Sequence, residues 1–177
     1  MRHLAFRTAA VLALVSAAQL QAAQAQDKSC VTRPELRGLV AYALPTVLQT
    51  TIDKCAPRLA PDSYLIARAP QLVSTLEAGR SAAWPQAKQA FVKIGGKGEK
   101  DTAGMFALLP EEAVRPLIEA VIEQKLVPSI KPESCPDIDR IMTPLEPLPA
   151  SNLIDTMTEV LLVAARKDKS MPTCPDA

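Results

Sequence analysis

The spacing of aliphatic residues is the feature that most constrains the fold of this chain. Ala, Leu, Val and Ile recur three and four residues apart along most of the sequence, as they do on one face of an α-helix. The sequence contains no alternating apolar runs joined by two-residue turn signals, and no β-α-β spacing. The pattern therefore predicts an all-α fold, a compact bundle of about five helices, several of them kinked at proline.

The clearest helix start lies at Thr32. Thr32 and Glu35 have the spacing of a capping box, in which each side chain accepts a hydrogen bond from the other residue's backbone N–H. An apolar stripe follows from Leu36 to Leu48. Pro45 lies inside this stripe and removes a backbone donor, so we expect the first helix to kink or break there.

Four further helical stretches follow. The second spans about residues 62–78 and ends at Gly79, because glycine often follows a helix C-terminus. The third spans about residues 82–94, the fourth about residues 110–127, and the last begins after Ala150. The predicted apolar face of this last helix comprises Leu153, Ile154, Met157, Val160, Leu161 and Ala164.

Two other segments separate these helices. The run Gly95-Gly96-Lys97-Gly98 predicts a flexible loop near residues 95–101. It lacks the spacing and the Lys-Ser/Thr ending of a P-loop, so it does not predict a phosphate site. Residues 128–149 contain six prolines and predict a stiff connector, with one short helix around Asp137 to Met142.

The first 25 residues predict a cleaved signal peptide. Three basic residues precede an uncharged run from Thr8 to Leu20, and Ala23-Gln24-Ala25 fits a small-x-small cleavage site. The apolar run is shorter than the roughly 20 residues that span a bilayer. We therefore expect residues 26–177 to form a single exported domain, periplasmic or secreted, with no transmembrane anchor.

Removal of the signal peptide limits the chemistry that the chain can perform. The mature part loses Arg2, Arg7 and His3, the only histidine, and its net charge falls to about −1. A nearly neutral chain has no long-range field to attract nucleic acid or an anionic membrane. Without histidine, Ser-His-Asp triads, Cys-His dyads and His-ligated metals are excluded.

Four cysteines predict two disulfides in an oxidising compartment. Successive cysteines are separated by 24, 79 and 38 residues, so the chain has no CxxC pair for redox or zinc chemistry. We expect Cys135 to pair with Cys174, and Cys30 with Cys55. The second pair requires Pro45 to fold the first helix back, because a straight helix would hold its ends about 33 Å apart. The pairings that join Cys30 or Cys55 to the C-terminal region stay open.

Two carboxylate pairs are candidate sites. Glu119 and Glu123 lie one helical turn apart and could share a metal ion or a proton, but a solvated face on which Arg115 offsets Glu119 explains them better. Asp137 and Asp139 alternate as cation ligands do, yet the further oxygen ligands and the glycine of a calcium loop are missing. Helix capping is the better interpretation. We predict no catalytic, metal or cofactor site.

These exclusions favour a non-enzymatic function. The leading hypothesis is a protein-interaction or structural accessory domain whose partner is another envelope or secreted protein. The alternative is a carrier that holds a small apolar ligand or lipid in a cavity between Pro-kinked helices. Carboxylate-only hydrolase or transferase chemistry is a third hypothesis. The sequence does not fix the oligomeric state.

Overall fold

The computed structural model describes residues 30–95, 109–125, 130–168 and 171–175. The predicted signal peptide, most of the glycine-rich loop and the start of the proline-rich connector lie outside these residues. From Val31 onward the described residues belong to one compact unit. Regular structure in these ranges is helical, with no β-strand and a single isolated bridge between two residues, which confirms the all-α prediction.

Six α-helices occur in the described part of the chain, and the long first helix is central among them. It packs against the third along much of its length and also contacts the fourth and sixth. Among the described residues, no helix combines the length and the hydrophobicity that a membrane span requires. The α-helices are α1 (Arg33–Cys55), α2 (Tyr64–Ala67), α3 (Ala69–Gly95), α4 (Glu111–Lys125), α5 (Cys135–Met142) and α6 (Ala150–Asp168). The 3-10 turns are Ala56–Arg58, Pro132–Ser134 and Thr143–Leu145.

The start of α1 is the capping box that the sequence predicts. Glu35 N–H donates to Thr32 Oγ1 at 3.4 Å, and Thr32 N–H donates to Glu35 Oε2 at 2.8 Å. The helix does not break at Pro45 but continues to Cys55. Buried residues on both sides of the proline, among them Leu48, anchor the helix in the core. Their packing outweighs the one backbone hydrogen bond that proline removes.

A single helix, α3, replaces the two helices predicted on either side of Gly79. It is 27 residues long, with Pro70 in its first turn and Pro85 in its interior. Proline is tolerated in a first turn because the N–H there has no partner within the helix. A glycine inside a helix costs about 1 kcal/mol relative to alanine. Burial of Leu76 and Trp84 on either side of Gly79 outweighs that local preference.

The disulfide pairing differs from the prediction. Cys55 is bonded to Cys135, with their Cα atoms 5.4 Å apart, and Cys30 is bonded to Cys174. The predicted pairs are therefore wrong, whereas the prediction of two disulfides is confirmed and none of the four cysteines is free. The cause is the unbroken α1, which holds its two ends about 33 Å apart.

The second half of α6 buries a different face from the predicted one. Leu153 is buried as expected, but the next buried residues include Thr158 and Leu162, while Val160 and Leu161 are exposed. Aliphatic residues run almost without interruption through this half of the helix, so their spacing does not single out one face. Packing near the start of α1 decides which face turns inward.

The core follows α1 in three clusters. One surrounds the Cys55–Cys135 disulfide, a second joins α1 and α3 to α4, and a third lies at the start of α1. Glu35, near the start of α1, binds Lys93, near the end of α3, so the two long helices are antiparallel. The second cluster consists of Tyr42, Trp84, Ala87, Val114, Ile118 and Ile122.

Candidate binding groove

Of the predicted pair Glu119 and Glu123, the side chain that the structure describes, Glu119, is not free to form an open site. Glu119 accepts hydrogen bonds from the Tyr42 hydroxyl at 3.0 Å and from an Arg80 terminal nitrogen at 3.1 Å. The side chain of Glu123 lies outside the described residues. Arg115 Nε donates at 2.8 Å to a carboxylate one turn earlier in α4, and the Arg115 guanidinium also interacts electrostatically with Glu119.

Aromatic rings and arginines close the interface between α4 and the two long helices. The rings of Tyr42 and Trp84 lie 5.1 Å apart, and both residues are buried. The Arg80 guanidinium lies 4.5 Å from the Tyr42 ring centroid, and that of Arg115 lies 4.7 Å from the Trp84 ring centroid. Such cation–π contacts add to the ion pairs and hold α4 in place.

Burial, and next the hydrogen bond to Glu119, raise the pKa of the Tyr42 phenol above its usual value of 10.0. Both effects disfavour the charged phenolate. The phenol is therefore protonated at neutral pH and serves as the donor to Glu119. This arrangement is suited to fixing α4 against α1.

A second polar group, the ion pair between Glu35 and Lys93, is not predicted from the sequence. Lys93 Nζ lies 2.7 and 2.8 Å from the two Glu35 carboxylate oxygens. Their side chains are 12% and 8% exposed. The pair connects the end of α3 to the start of α1. The Glu35 carboxylate also accepts the hydrogen bond from the Thr32 N–H at the start of α1. The packing of α3 along α1 brings these two residues together, so no local sequence pattern predicts the ion pair.

The two aspartates of α5 form internal contacts. Asp137 binds Arg140 at 2.7 Å, and Asp139 Oδ1 accepts the N–H of Leu65 at 2.8 Å. Asp139 thus caps α2, a neighbouring helix, rather than its own. Among the described residues, no group of three or more Cys, His, Asp or Glu side chains is placed to hold a metal ion.

An open groove lies where α1 and α3 face the start of α6. Its volume is about 480 Å³. Small residues of α3 form much of its floor, beside the longer side chains of Leu76 and Gln86 from the same helix. The lining includes Gly38 and Ala41 of α1, Gly79, Ala82 and Ala83 of α3, and Ile154 of α6.

Two glycines line this groove for different reasons. A Cβ atom added at Gly38 would lie 2.4 Å from Gln86 Cβ and 3.1 Å from the Ala87 backbone nitrogen, so Gly38 permits the close packing of α1 on α3. A Cβ atom added at Gly79 would meet nothing within 4 Å. Gly79 is exposed in the middle of α3, so neither internal packing nor backbone conformation requires glycine there.

A second cavity of about 350 Å³ continues the groove toward the start of α3. It shares Thr75 and Ala150 with the first cavity and reaches Arg68 and Glu146. We call the two together the α3 groove. The lining residues of α3 run from Gln71 to Gln86, a separation of about 22 Å at 1.5 Å per residue, and Arg68 directly precedes this helix.

An arginine lies near each end of the α3 groove. Arg37 Nε bonds to Asp155 Oδ1 at 2.5 Å, and Arg68 Nε bonds to Glu146 Oε1 at 2.9 Å. All four side chains are about half exposed. Because both arginines use Nε for these bonds, their terminal nitrogens can still donate to a bound molecule.

Sequence reasoning did not find the α3 groove. Its signal was the run of small residues at Gly79, Ala82 and Ala83, which share one side of a helix through their three- and four-residue spacing. Because the sequence predicted a helix end at Gly79, these three residues were assigned to different segments and their common side was not recognised. Comparison with protein-family models, curated proteins and solved structures finds no match to this chain, so its function must be inferred from its own geometry.

Proposed function

We propose that this chain is a non-enzymatic protein-interaction domain that binds its partner in the α3 groove. The observation that carries the proposal is that the groove is formed and exposed, yet filled by none of the described side chains. Its two cavities have volumes typical of binding sites, about 300–1,000 Å³. Gly79 and Ala82 of its floor are exposed to solvent.

The use of the polar side chains supports binding rather than chemistry. Tyr42, Arg80 and Glu119 are engaged with one another, and Glu35 is engaged with Lys93. The α3 groove instead presents aliphatic side chains, hydroxyls, amides, two arginines and the carboxylate of Glu146, which is ion-paired with Arg68. Such a surface can recognise a complementary polypeptide.

Two disulfides support export to the periplasm or the medium, as does the predicted signal peptide of residues 1–25. Cys55 and Cys135 are both fully buried, so their bond is part of the core. The proposed site of action is therefore outside the cytoplasm, where the partner is another envelope or secreted protein.

A carrier of a small apolar ligand is the second candidate. The groove volume of about 480 Å³ and the aliphatic residues of its floor favour it. The exposed floor and the charged ends of the groove favour a protein surface instead, because an apolar ligand gains most in a site that excludes water.

The test uses two phenylalanine substitutions on neighbouring residues of α3. Ala82→Phe fills the groove, whereas Ser81→Phe adds the same ring to an exposed position that does not line it. Tagged mature protein with each change, and the wild type, is incubated with the native envelope fraction. Bound proteins are quantified by mass spectrometry, and each captured protein is then purified and titrated against all three.

We expect a purified partner that binds the wild type and Ser81→Phe equally, and binds Ala82→Phe at least about tenfold more weakly, because the ring occupies its position. Equal binding by all three proteins would show that the groove is not the site. Native mass spectrometry completes the test, since a copurifying lipid lost only in Ala82→Phe would support the carrier and contradict the proposal.

A further inference from the structure

We infer that one of the two disulfides, Cys30–Cys174, is redox-sensitive, and that its reduction frees residues 171–175 from the start of α1. We call these residues the C-terminal strap. The two disulfides differ in burial, since Cys55 and Cys135 are fully buried whereas Cys30 and Cys174 are each partly exposed. The inference goes beyond the proposed function and does not depend on the α3 groove.

Solvent access decides which of the two bonds a thiol can attack. Thiol–disulfide exchange requires a thiolate to reach one sulfur atom of the bond, and exposed disulfides are the labile ones. The Cys55–Cys135 bond lies in a core cluster that includes Leu65, Leu76 and Met142. A reductant therefore reaches the buried bond only after the core opens, whereas it reaches the partly exposed bond in the folded protein.

Two backbone hydrogen bonds attach the strap to Val31. The Val31 N–H donates to the Pro172 carbonyl oxygen at 2.6 Å, and the Cys174 N–H donates to the Val31 carbonyl oxygen at 3.0 Å. They form one isolated bridge, between Val31 and Thr173, rather than a β-strand. Water replaces much of the free energy of such bonds when they break. The covalent link keeps the two chain segments at a high effective concentration, so its loss weakens the bridge.

The strap covers apolar surface at the start of α1. Its Met171 packs against a cluster in which Val31, Leu36 and Leu162 are buried. Release of the strap removes the Met171 side chain from this cluster and both backbone partners from Val31. We therefore expect reduction to expose apolar surface at this end of the protein, and exposed apolar patches are typical of interaction sites.

The helices near the strap have contacts of their own. Glu35 in α1 binds Lys93 in α3, and Arg33 in α1 binds Glu159 in α6. These ion pairs still join α1 to its neighbours when the strap leaves. Reduction should therefore change the strap locally and leave the helices folded.

The reductant that we propose is a dithiol protein of the exported compartment. Its first thiolate attacks one sulfur of the Cys30–Cys174 bond, that bond breaks, and a mixed disulfide forms while the released sulfur takes up a proton. The second thiol of the reductant then displaces the remaining sulfur. Cys30 and Cys174 become thiols, and the reductant becomes a disulfide, with two electrons and two protons transferred to this chain.

Timed reduction of the mature protein tests the order of the two bonds. Dithiothreitol or reduced thioredoxin is added under native conditions, free thiols are trapped by alkylation at intervals, and the labelled peptides are quantified by mass spectrometry. We expect Cys30 and Cys174 to be labelled at least about tenfold faster than Cys55 and Cys135, because exchange at the buried bond must wait for the core to open. Equal rates, or faster labelling of Cys55 and Cys135, would overturn the inference.

Hydrogen exchange, followed by NMR, tests release of the strap. Two samples are compared with the oxidised wild type, namely the Cys30→Ser/Cys174→Ser variant and wild type in which dithiothreitol has reduced only this bond. The Val31 and Cys174 amides, which donate the two bridging bonds, should exchange at least about tenfold faster in both samples. The amide of Leu48, inside α1, is the internal control and should keep its protection.

Two outcomes of the exchange experiment would contradict the strap. Unchanged protection of the Val31 and Cys174 amides after reduction would show that the strap stays in place. Loss of Leu48 protection, or of helicity by circular dichroism, in the selectively reduced wild type would show that this bond supports the whole fold and not a local switch. Neither outcome bears on the proposed function, which the Ala82→Phe experiment tests separately.

Discussion

The pair of long helices, α1 and α3, has one closed face and one open face. Toward α4, the pair presents Tyr42 and Trp84, whose rings are covered by Arg80 and Arg115. Toward α6, the same two helices present glycine and alanine, and the α3 groove remains empty of the chain's own described side chains. The closed face contains large buried side chains in contact, whereas the open face exposes small residues such as Gly79 and Ala82 to solvent.

The closed face of this helix pair therefore serves mainly the stability of the fold, and we propose that the open face serves binding. Burial of aromatic surface and the cation–π contacts supply stabilisation at the closed face. The open face lacks these gains, and Gly79 weakens α3 there by about 1 kcal/mol relative to alanine. Substitutions on the closed face should therefore change stability strongly. Substitutions on the open face should affect binding more than stability.

The largest expected effect is on the closed face, at Trp84. Trp84→Ala should lower the free energy of unfolding by about 3–5 kcal/mol, because it removes the ring that packs between Tyr42 and α4 and leaves a cavity there. Denaturant unfolding measures this change, with Gln86→Ala at the edge of the groove as the control. The control should shift the free energy by no more than about 0.5 kcal/mol. Similar effects of the two substitutions would abolish the distinction between the faces.

Gly38→Ala should lower the free energy of unfolding by about 1–3 kcal/mol. The added Cβ atom would lie 2.4 Å from Gln86 Cβ and close to two backbone atoms of α3, which cannot rotate aside. The two long helices must therefore separate. Thermal unfolding measures the loss, and an unchanged melting temperature would show that the helices are not so closely packed at this point.

Tyr42→Phe should cost about 0.5–1.5 kcal/mol, since it removes the hydrogen bond to Glu119. The effect depends on pH. The folded state raises the pKa of this phenol, so its stabilisation is fully present below about pH 10 and is lost as the pH rises through the folded-state pKa. Burial also raises the pKa of Tyr64, so part of the alkaline loss remains in the variant.

Unfolding free energies measured from pH 7 to 11 check the Tyr42 prediction. The stability of the wild type should fall more steeply above pH 10 than that of Tyr42→Phe. Parallel curves for the two proteins would mean that the Tyr42 phenol does not titrate as a buried group, and that the closed face admits water.

The smallest expected effect is a gain on the open face. Gly79→Ala should raise the free energy of unfolding by about 0.5–1 kcal/mol, because alanine is the better helix former and its methyl group meets nothing within 4 Å. Thermal unfolding measures the gain beside Gly38→Ala, so that the same chemical change is compared at two glycines. A loss of stability at both positions would mean that the groove is filled in solution.

Local signals predicted the parts of the fold that depend on neighbouring residues. The capping box of Thr32 and Glu35 is confirmed because both bonds lie within one turn. The all-α class is confirmed because helical spacing persists through the chain. The predicted break at Pro45 and the predicted helix end at Gly79 are wrong. Each residue disfavours a helix locally, and the long-range packing of α1 on α3 outweighs that preference.

The disulfides and the groove depend on which distant residues meet, and the sequence does not show this directly. Pairing Cys30 with Cys55 failed because α1 is continuous, and the geometric objection to that pair was visible in the sequence. The α3 groove exists only because the small residues of α3 face the start of α6. The ion pair of Glu35 and Lys93 is likewise a product of antiparallel packing.

Site-specific photocrosslinking in the native host tests the central claim most directly. A benzophenone side chain is placed at Gln86, an exposed residue at the edge of the α3 groove, or at Ser81, an exposed residue of α3 outside it. We predict that irradiation links one partner protein to position 86 and not to position 81, and that Ala82→Phe abolishes the adduct. Equal adducts at both positions, or an adduct at position 86 that persists with Ala82→Phe, would contradict the claim that this open face is the binding site.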